Sequence, residues 1–328
     1  MNDEMFDLEP DVPEALSGIA SKRDSAEDDL LATENVVGVG LGFKITGGTQ
    51  TDKPSVMVLV EQKLPAEMLS GKGVPKTVGG APTDVLEVGP LVAGGDAEPA
   101  MEAGVQKLAK RVRPVRPGYS IGHLKVTAGT LGAGAYDLRN TVPGKPPHYY
   151  ALSNNHVLAN SNDARIGDPI IQPGAYDGGT YPADVVGRLA RYVPIRFDGT
   201  VNYVDAAIAE IPFDTIDRDI YWSGYPRSLV KAAEVGMLVK KTGRTTHFTT
   251  GRVTALNATV NVNYGGGKVA KFGKQIVTSD MSAGGDSGSL VLDLDNNPVG
   301  LLFAGSSTAT IINPIAYVQI LLGVRIWP

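Results

Sequence analysis

From Tyr119 to its end, the chain alternates short apolar runs with clusters of Gly, Pro, Asn, Asp and Ser. The runs at 121–128, 149–152, 201–211, 237–241, 251–262, 275–278, 289–294 and 299–303 are bounded by turn residues, so they read as strands of paired antiparallel barrels or a sandwich. The last apolar stretch differs. Residues 314–322 (PIAYVQILL) open on a proline, stop before Gly323 and carry apolar residues at helical spacing, which predicts a C-terminal helix.

Upstream, 35–45 and 55–63 read as a strand hairpin around Gly47-Gly48, 64–71 as a short helix, and 84–92 as a third strand. Together they predict a small α/β unit over 35–95. Gly38, Gly40 and Gly42 lie within the first strand and no helix follows, so they are not a nucleotide-binding loop; they leave one face bare for close packing. Residues 96–118 read as a solvated linker ending in a basic cluster, Lys110-Arg111-Val112-Arg113-Pro114-Val115-Arg116.

Charge adds a fourth region. Residues 1–34 carry 11 acidic and 2 basic side chains (−9), and the remaining residues carry 24 and 28 (+4), giving the overall −5. The head is expected to be solvated and partly disordered. Lys and Arg are dispersed elsewhere and no aromatic-basic motif accompanies them, which argues against a nucleic-acid partner. There is no cysteine, so disulfides and thiolate metal sites are excluded. The absence of an apolar run of about 18 residues argues against a membrane partner. The first residues show no secretory signal, and a cytoplasmic location is expected. Neither a metal nor another cofactor is expected, because no ligand-spaced cluster occurs.

Candidate chemistry centres on Gly284-Gly285-Asp286-Ser287-Gly288-Ser289. Glycines around a serine allow a tight loop whose N–H groups can face a cavity and hold a developing oxyanion. A serine nucleophile needs a base, and His156, in Ser153-Asn154-Asn155-His156 at the end of an apolar strand, is the most distinctive of the four histidines. The imidazole in turn needs a buried carboxylate. Asp205, set among Val204, Ala206, Ala207 and Ile208, fits.

The order His156, Asp205, Ser287 and the three local contexts resemble the chymotrypsin/trypsin-like serine peptidases over roughly 119–328. An α/β-hydrolase would run in a different order and place a helix, not the strand-like Leu290-Val291-Leu292, after the nucleophile. The resemblance implies a double antiparallel β-barrel, with barrel 1 over about 119–213 and barrel 2 over about 235–328, preceded by the small α/β domain. It also implies a serine endopeptidase in which His156, Asp205 and Ser287 form the triad and the N–H groups of Gly285 and Ser287 the oxyanion hole. By the same resemblance Phe303, Ala304 and Gly305 pair with an extended peptide or protein substrate. Met281, where Arg/Lys-specific members keep an aspartate, implies a small or apolar side chain at the cleaved position. Arg244, in Thr242-Gly243-Arg244-Thr245-Thr246, is similar to an arginine that pairs with the aspartate before the nucleophile, here Asp286. Ser289 departs from the commoner second glycine. The whole-chain pattern is similar to bacterial trypsin-like proteins related to the plant narrow-leaf type. The alternative is a catalytically quiet or latent scaffold that binds peptides or partner proteins, and a homo-oligomer is left open.

Overall fold

The computed structural model describes residues 12–69, 71, 73–94, 108–138 and 146–328. The N-terminal part comprises α1 (Glu14–Leu31), β1 (Val36–Thr46), β2 (Thr49–Val60), β3 (Thr77–Val78), β4 (Ala81–Glu87) and β5 (Val92–Ala93). The first barrel follows with β6 (Ser120–His123), β7 (Gly129–Thr130), β8 (Ala133–Asp137), β9 (Tyr149–Ser153), the one-turn α2 (Asn155–Leu158), β10 (Pro169–Ile171) and β11 (Val185–Tyr192). After β12 (Val201–Asn202) comes β13 (Ala207–Ile211), which pairs between β9 and β11. The second barrel comprises β14 (Leu238–Gly243), β15 (His247–Asn263), β16 (Val269–Ser279), β17 (Leu290–Asp293), β18 (Pro298–Gly305) and β19 (Ala309–Pro314). It is followed by α3 (Ile315–Leu322) and β20 (Val324–Ile326).

The fold is a pair of curled antiparallel sheets with a C-terminal helix. In the second, neighbours run β16-β19-β18-β17-β14-β15, and β15 pairs back to β16, which closes the barrel. The first runs β20-β8-β9-β13-β11-β10-β6-β7. Its edge strand β20 arrives from the far end of the chain, so the barrels are covalently interlaced. Between them lies an apolar layer that includes Leu152, Val204, Ile208, Leu290, Leu301, Ile315 and Val318. α3 ends as its sequence predicts, with Gly323 left-handed at φ 68°.

Four expectations change. Residues 14–31 of the acidic head are a helix rather than a disordered tail: Leu16, Ile19 and Leu30 pack on the hairpin, and the buried Arg23 reaches Glu27 at 2.6 Å and the Thr259 hydroxyl at 2.8 Å. Its apolar residues are sparse, so charge dominated the reading. The unit over 35–95 is not a separate sheet, because β1 pairs with β15 (Val39 opposite Thr259) and continues the second barrel. Met57 and Val260 crowd the bare face left by Gly42 and Gly38. The helix expected over 64–71 is only a 3₁₀ turn at Ala66–Met68. Residues 96–107 lie outside the described residues, but 108–118 are not a solvated linker. Leu108 and Val115 are buried, Arg111 pairs with Asp184 at 3.0 Å, Arg113 donates to the Gln172 carbonyl at 2.9 Å and Arg116 pairs with Asp219.

Candidate active site

Strand β9 runs as a buried inner strand of the first barrel, between β8 and β13, into Ser153 and Asn154, and α2 then presents His156. Asp205 precedes β13 and is fully buried. Its carboxylate oxygen Oδ2 lies 2.6 Å from His156 Nδ1, and its Oδ1 accepts the His156 backbone N–H at 3.2 Å. The loop around Asp205 is itself fixed: its N–H donates to Asn313 Oδ1 at 3.0 Å and its carbonyl accepts Asn154 Nδ2 at 2.7 Å. A third donor comes from Tyr264, whose hydroxyl reaches Asp205 Oδ2 at 2.7 Å. Burial first, and then the Asp205 carboxylate, push the Tyr264 phenol well above its ordinary pKa, so it remains a donor.

His156 Nε2 is buried and has no hydrogen-bond partner among the described residues. The other histidines have different surroundings. His123 lies 3.2 Å from Asp168 and also receives a backbone N–H, and His148 pairs with Glu210 in solvent. His247 opens β15, and its Nε2 is also buried without a partner among the described residues, but it has no carboxylate on Nδ1 as His156 has.

Ser287 is buried in the turn three residues ahead of β17, and its hydroxyl donates weakly to the Phe303 carbonyl at 3.4 Å. One residue of the first barrel pins its loop. Thr130 N–H donates to the Ser287 carbonyl at 2.8 Å, and Thr130 Oγ1 donates to the Gly285 carbonyl at 2.9 Å. Thr130 Oγ1 also accepts the Arg244 N–H at 3.0 Å. Gly285 has φ 92°, a region costly for a residue with a Cβ. Its carbonyl is turned toward Thr130, and among the described residues neither its N–H nor that of Ser287 donates a hydrogen bond.

Residues 143–301 match the trypsin-like peptidase domain. The chain is 34% identical over 142 residues to glutamyl endopeptidase 2 of Streptomyces griseus, spanning 41% of this chain and 69% of that protein. It belongs to the trypsin-like serine endopeptidase family. Serine protease 1 of Streptomyces fradiae is 30% identical over 162 residues, 47% of this chain and 38% of that one. Among solved structures, Thermobifida fusca protease A matches 64% of the peptidase and 97% of its own chain, at 17% identity and a TM-score of 0.45.

In this peptidase the cation against Asp286 is Lys241, not Arg244. Lys241 Nζ lies 3.1 Å from Asp286 Oδ2, and both side chains are fully buried. Asp286 also accepts the Thr246 hydroxyl at 2.5 Å and the N–H groups of Thr245, Thr246 and Ala283 at 2.9, 3.1 and 3.1 Å. Burial pushes its carboxyl up, but Lys241 and these donors outweigh burial and hold it below the usual carboxylate range. Arg244 turns to the buried Asp177 of the first barrel, with Nε 2.9 Å from Oδ2. Both cations lie on the same hairpin, three residues apart, and strand alternation sends Lys241 to the inside. Ser289 fits as it stands, its hydroxyl donating to the Asp286 carbonyl at 2.6 Å.

Met281 is 3% exposed and packs with Val239, Val253, Leu256 and Ile276 inside the second barrel, while it also lines a cavity with Thr246, Thr249 and Ser282. The residue beside Gly305 is Ser282, whose Oγ hydrogen-bonds Thr310 Oγ1 at 2.7 Å. Phe303 is buried against Phe272, and Ala304 and Gly305 end β18 at the cleft. Thr130, Lys241, Tyr264 and Ser282 carried no signal the sequence reading used.

Proposed function

We propose that this endopeptidase hydrolyses peptide bonds through an acyl-enzyme formed on Ser287. A turn about the Ser287 Cα–Cβ bond takes its hydroxyl from the Phe303 carbonyl toward the free Nε2 of His156. His156 removes the proton as Ser287 Oγ attacks the substrate carbonyl, and returns it to the leaving amine; water then repeats the sequence to release the acyl group. Asp205 fixes the imidazole with its proton on Nδ1 and stabilises the imidazolium. The N–H groups of Gly285 and Ser287 receive the oxyanion.

The observation that carries this reading is the buried Asp205–His156 contact of 2.6 Å together with an Nε2 left without a partner. A buried polar atom without a partner is costly, and such groups concentrate where a reaction uses them. Ser282 and Thr310 present a neutral wall beside Gly305, so a small uncharged side chain is the proposed preference at the cleaved position. The test is active-site labelling with a serine-directed phosphonate alongside peptide turnover. Labelling and turnover in the wild type, both lost in Ser287→Ala, support the mechanism; labelling retained in the variant overturns it.

A further inference from the structure

The edge of β18 next to the catalytic groups is already paired. Val92 stands opposite Gly305 and Ala93 opposite Ala304 in antiparallel register. The Leu91 carbonyl accepts the Asn263 N–H at 3.0 Å, so strand alternation turns the N–H and carbonyl of Val92 the other way, toward Gly305. An extended peptide substrate would add to the same edge through the same backbone groups.

This segment is anchored, not loosely draped. Val88 and Leu91 are buried in the second barrel's core, the Val88 N–H donates to the Val60 carbonyl at 2.8 Å, and the Ser306 hydroxyl donates to the Val88 carbonyl. At Gly94 the chain reaches the catalytic imidazole: a Cβ there would lie 3.5 Å from His156 Cδ2 and 3.6 Å from Nε2. Gly94 has φ 66°, a left-handed elbow that leaves the extended path a substrate follows. The segment therefore fills the acyl side of the cleft and turns off at the histidine.

Resting on the triad reading above, we infer that residues 91–94 are a built-in competitive inhibitor strand, which a peptide substrate must displace from Ala304 and Gly305. Only the fraction of molecules with the strand displaced binds substrate, so the apparent KM is raised by the inverse of that fraction while kcat is untouched.

Val92→Pro removes the N–H that faces Gly305 and keeps an extended backbone. With a chromogenic peptide substrate it is expected to lower KM about tenfold or more with kcat unchanged; an unchanged KM overturns the inference. Amide exchange in the wild-type protein tests the same point without a variant: the Gly305 N–H is expected to be protected, and rapid exchange overturns the inference. A small phosphonate separates this from the triad. Labelling of Ser287 with an unchanged KM overturns the inhibitor strand alone, whereas no labelling of either protein overturns the triad and the strand with it.

Discussion

Tyr264 donates its hydroxyl to the same carboxylate oxygen of Asp205, at 2.7 Å, that lies 2.6 Å from His156 Nδ1. One oxygen thus holds both the proposed base and a phenol that stays protonated. Hydrogen bonds to charged groups are worth roughly 1.5–3 kcal/mol. Tyr264→Phe is expected to lower kcat about tenfold or more with KM little changed, as steady-state kinetics would show. An undiminished kcat would mean that His156 and the backbone donors suffice to hold Asp205.

Lys241→Met should be among the most damaging changes outside the proposed triad. It leaves the Asp286 carboxylate buried without its cation, and breaking such a pair costs about 3–5 kcal/mol. Urea denaturation reads the loss directly. Stability within a fraction of a kcal/mol of the wild type would show that the Thr246 hydroxyl and the three backbone donors suffice.

Acid stability carries the same signature. The folded-state pKa of Asp286 is depressed, so its stabilisation is complete above the unfolded carboxylate value of about 3.9 and is lost as pH falls through the lower folded value. Melting temperature followed from pH 6 downward is expected to fall most steeply below about pH 4 in the wild type. Asp286→Asn should start lower, because Lys241 stays buried and unpaired, and should show a shallower decline. Parallel curves would assign the acid limb to other carboxylates.

Thr130→Val deletes the hydroxyl that donates to the Gly285 carbonyl and accepts the Arg244 N–H, orphaning the buried Gly285 carbonyl. A cost of about 1–3 kcal/mol is expected, on the scale of one orphaned group. Because the Gly285 carbonyl is the back of the proposed oxyanion hole, kcat should fall more than KM rises. Equal loss of kcat/KM and of folded fraction would leave Thr130 a purely structural residue.

How much of this was legible in the chain depends on distance. The barrels were readable because strand and turn signals are local, and α3 because its proline and Gly323 sit at its two ends. His156 and Asp205 stood out through their neighbours: a histidine after Ser-Asn-Asn, and an acid among alanines and valines. Tyr264 and Thr130 act across contacts that only the closed sheets create, and each lies in an unremarkable turn or strand. Lys241 was hidden for a different reason. A lysine in a strand reads as solvent-facing, and nothing local says that a buried aspartate 45 positions later will neutralise it. The helix α1 was hidden by its own acidity: Arg23 pairs with Glu27 within the helix, and the Thr259 hydroxyl that hydrogen-bonds both arrives only with β15.

That late arrival sets an order of events during synthesis. Val39 is made 220 positions before Thr259, its partner across β1 and β15. At roughly 5–20 residues per second the first hairpin waits on the order of ten seconds or more with one edge open. Open edges invite pairing with other chains. Until β15 emerges, α1 and the hairpin depend on each other or on a chaperone, and the open edge of β1 is covered only once the second strand of the second barrel has been made.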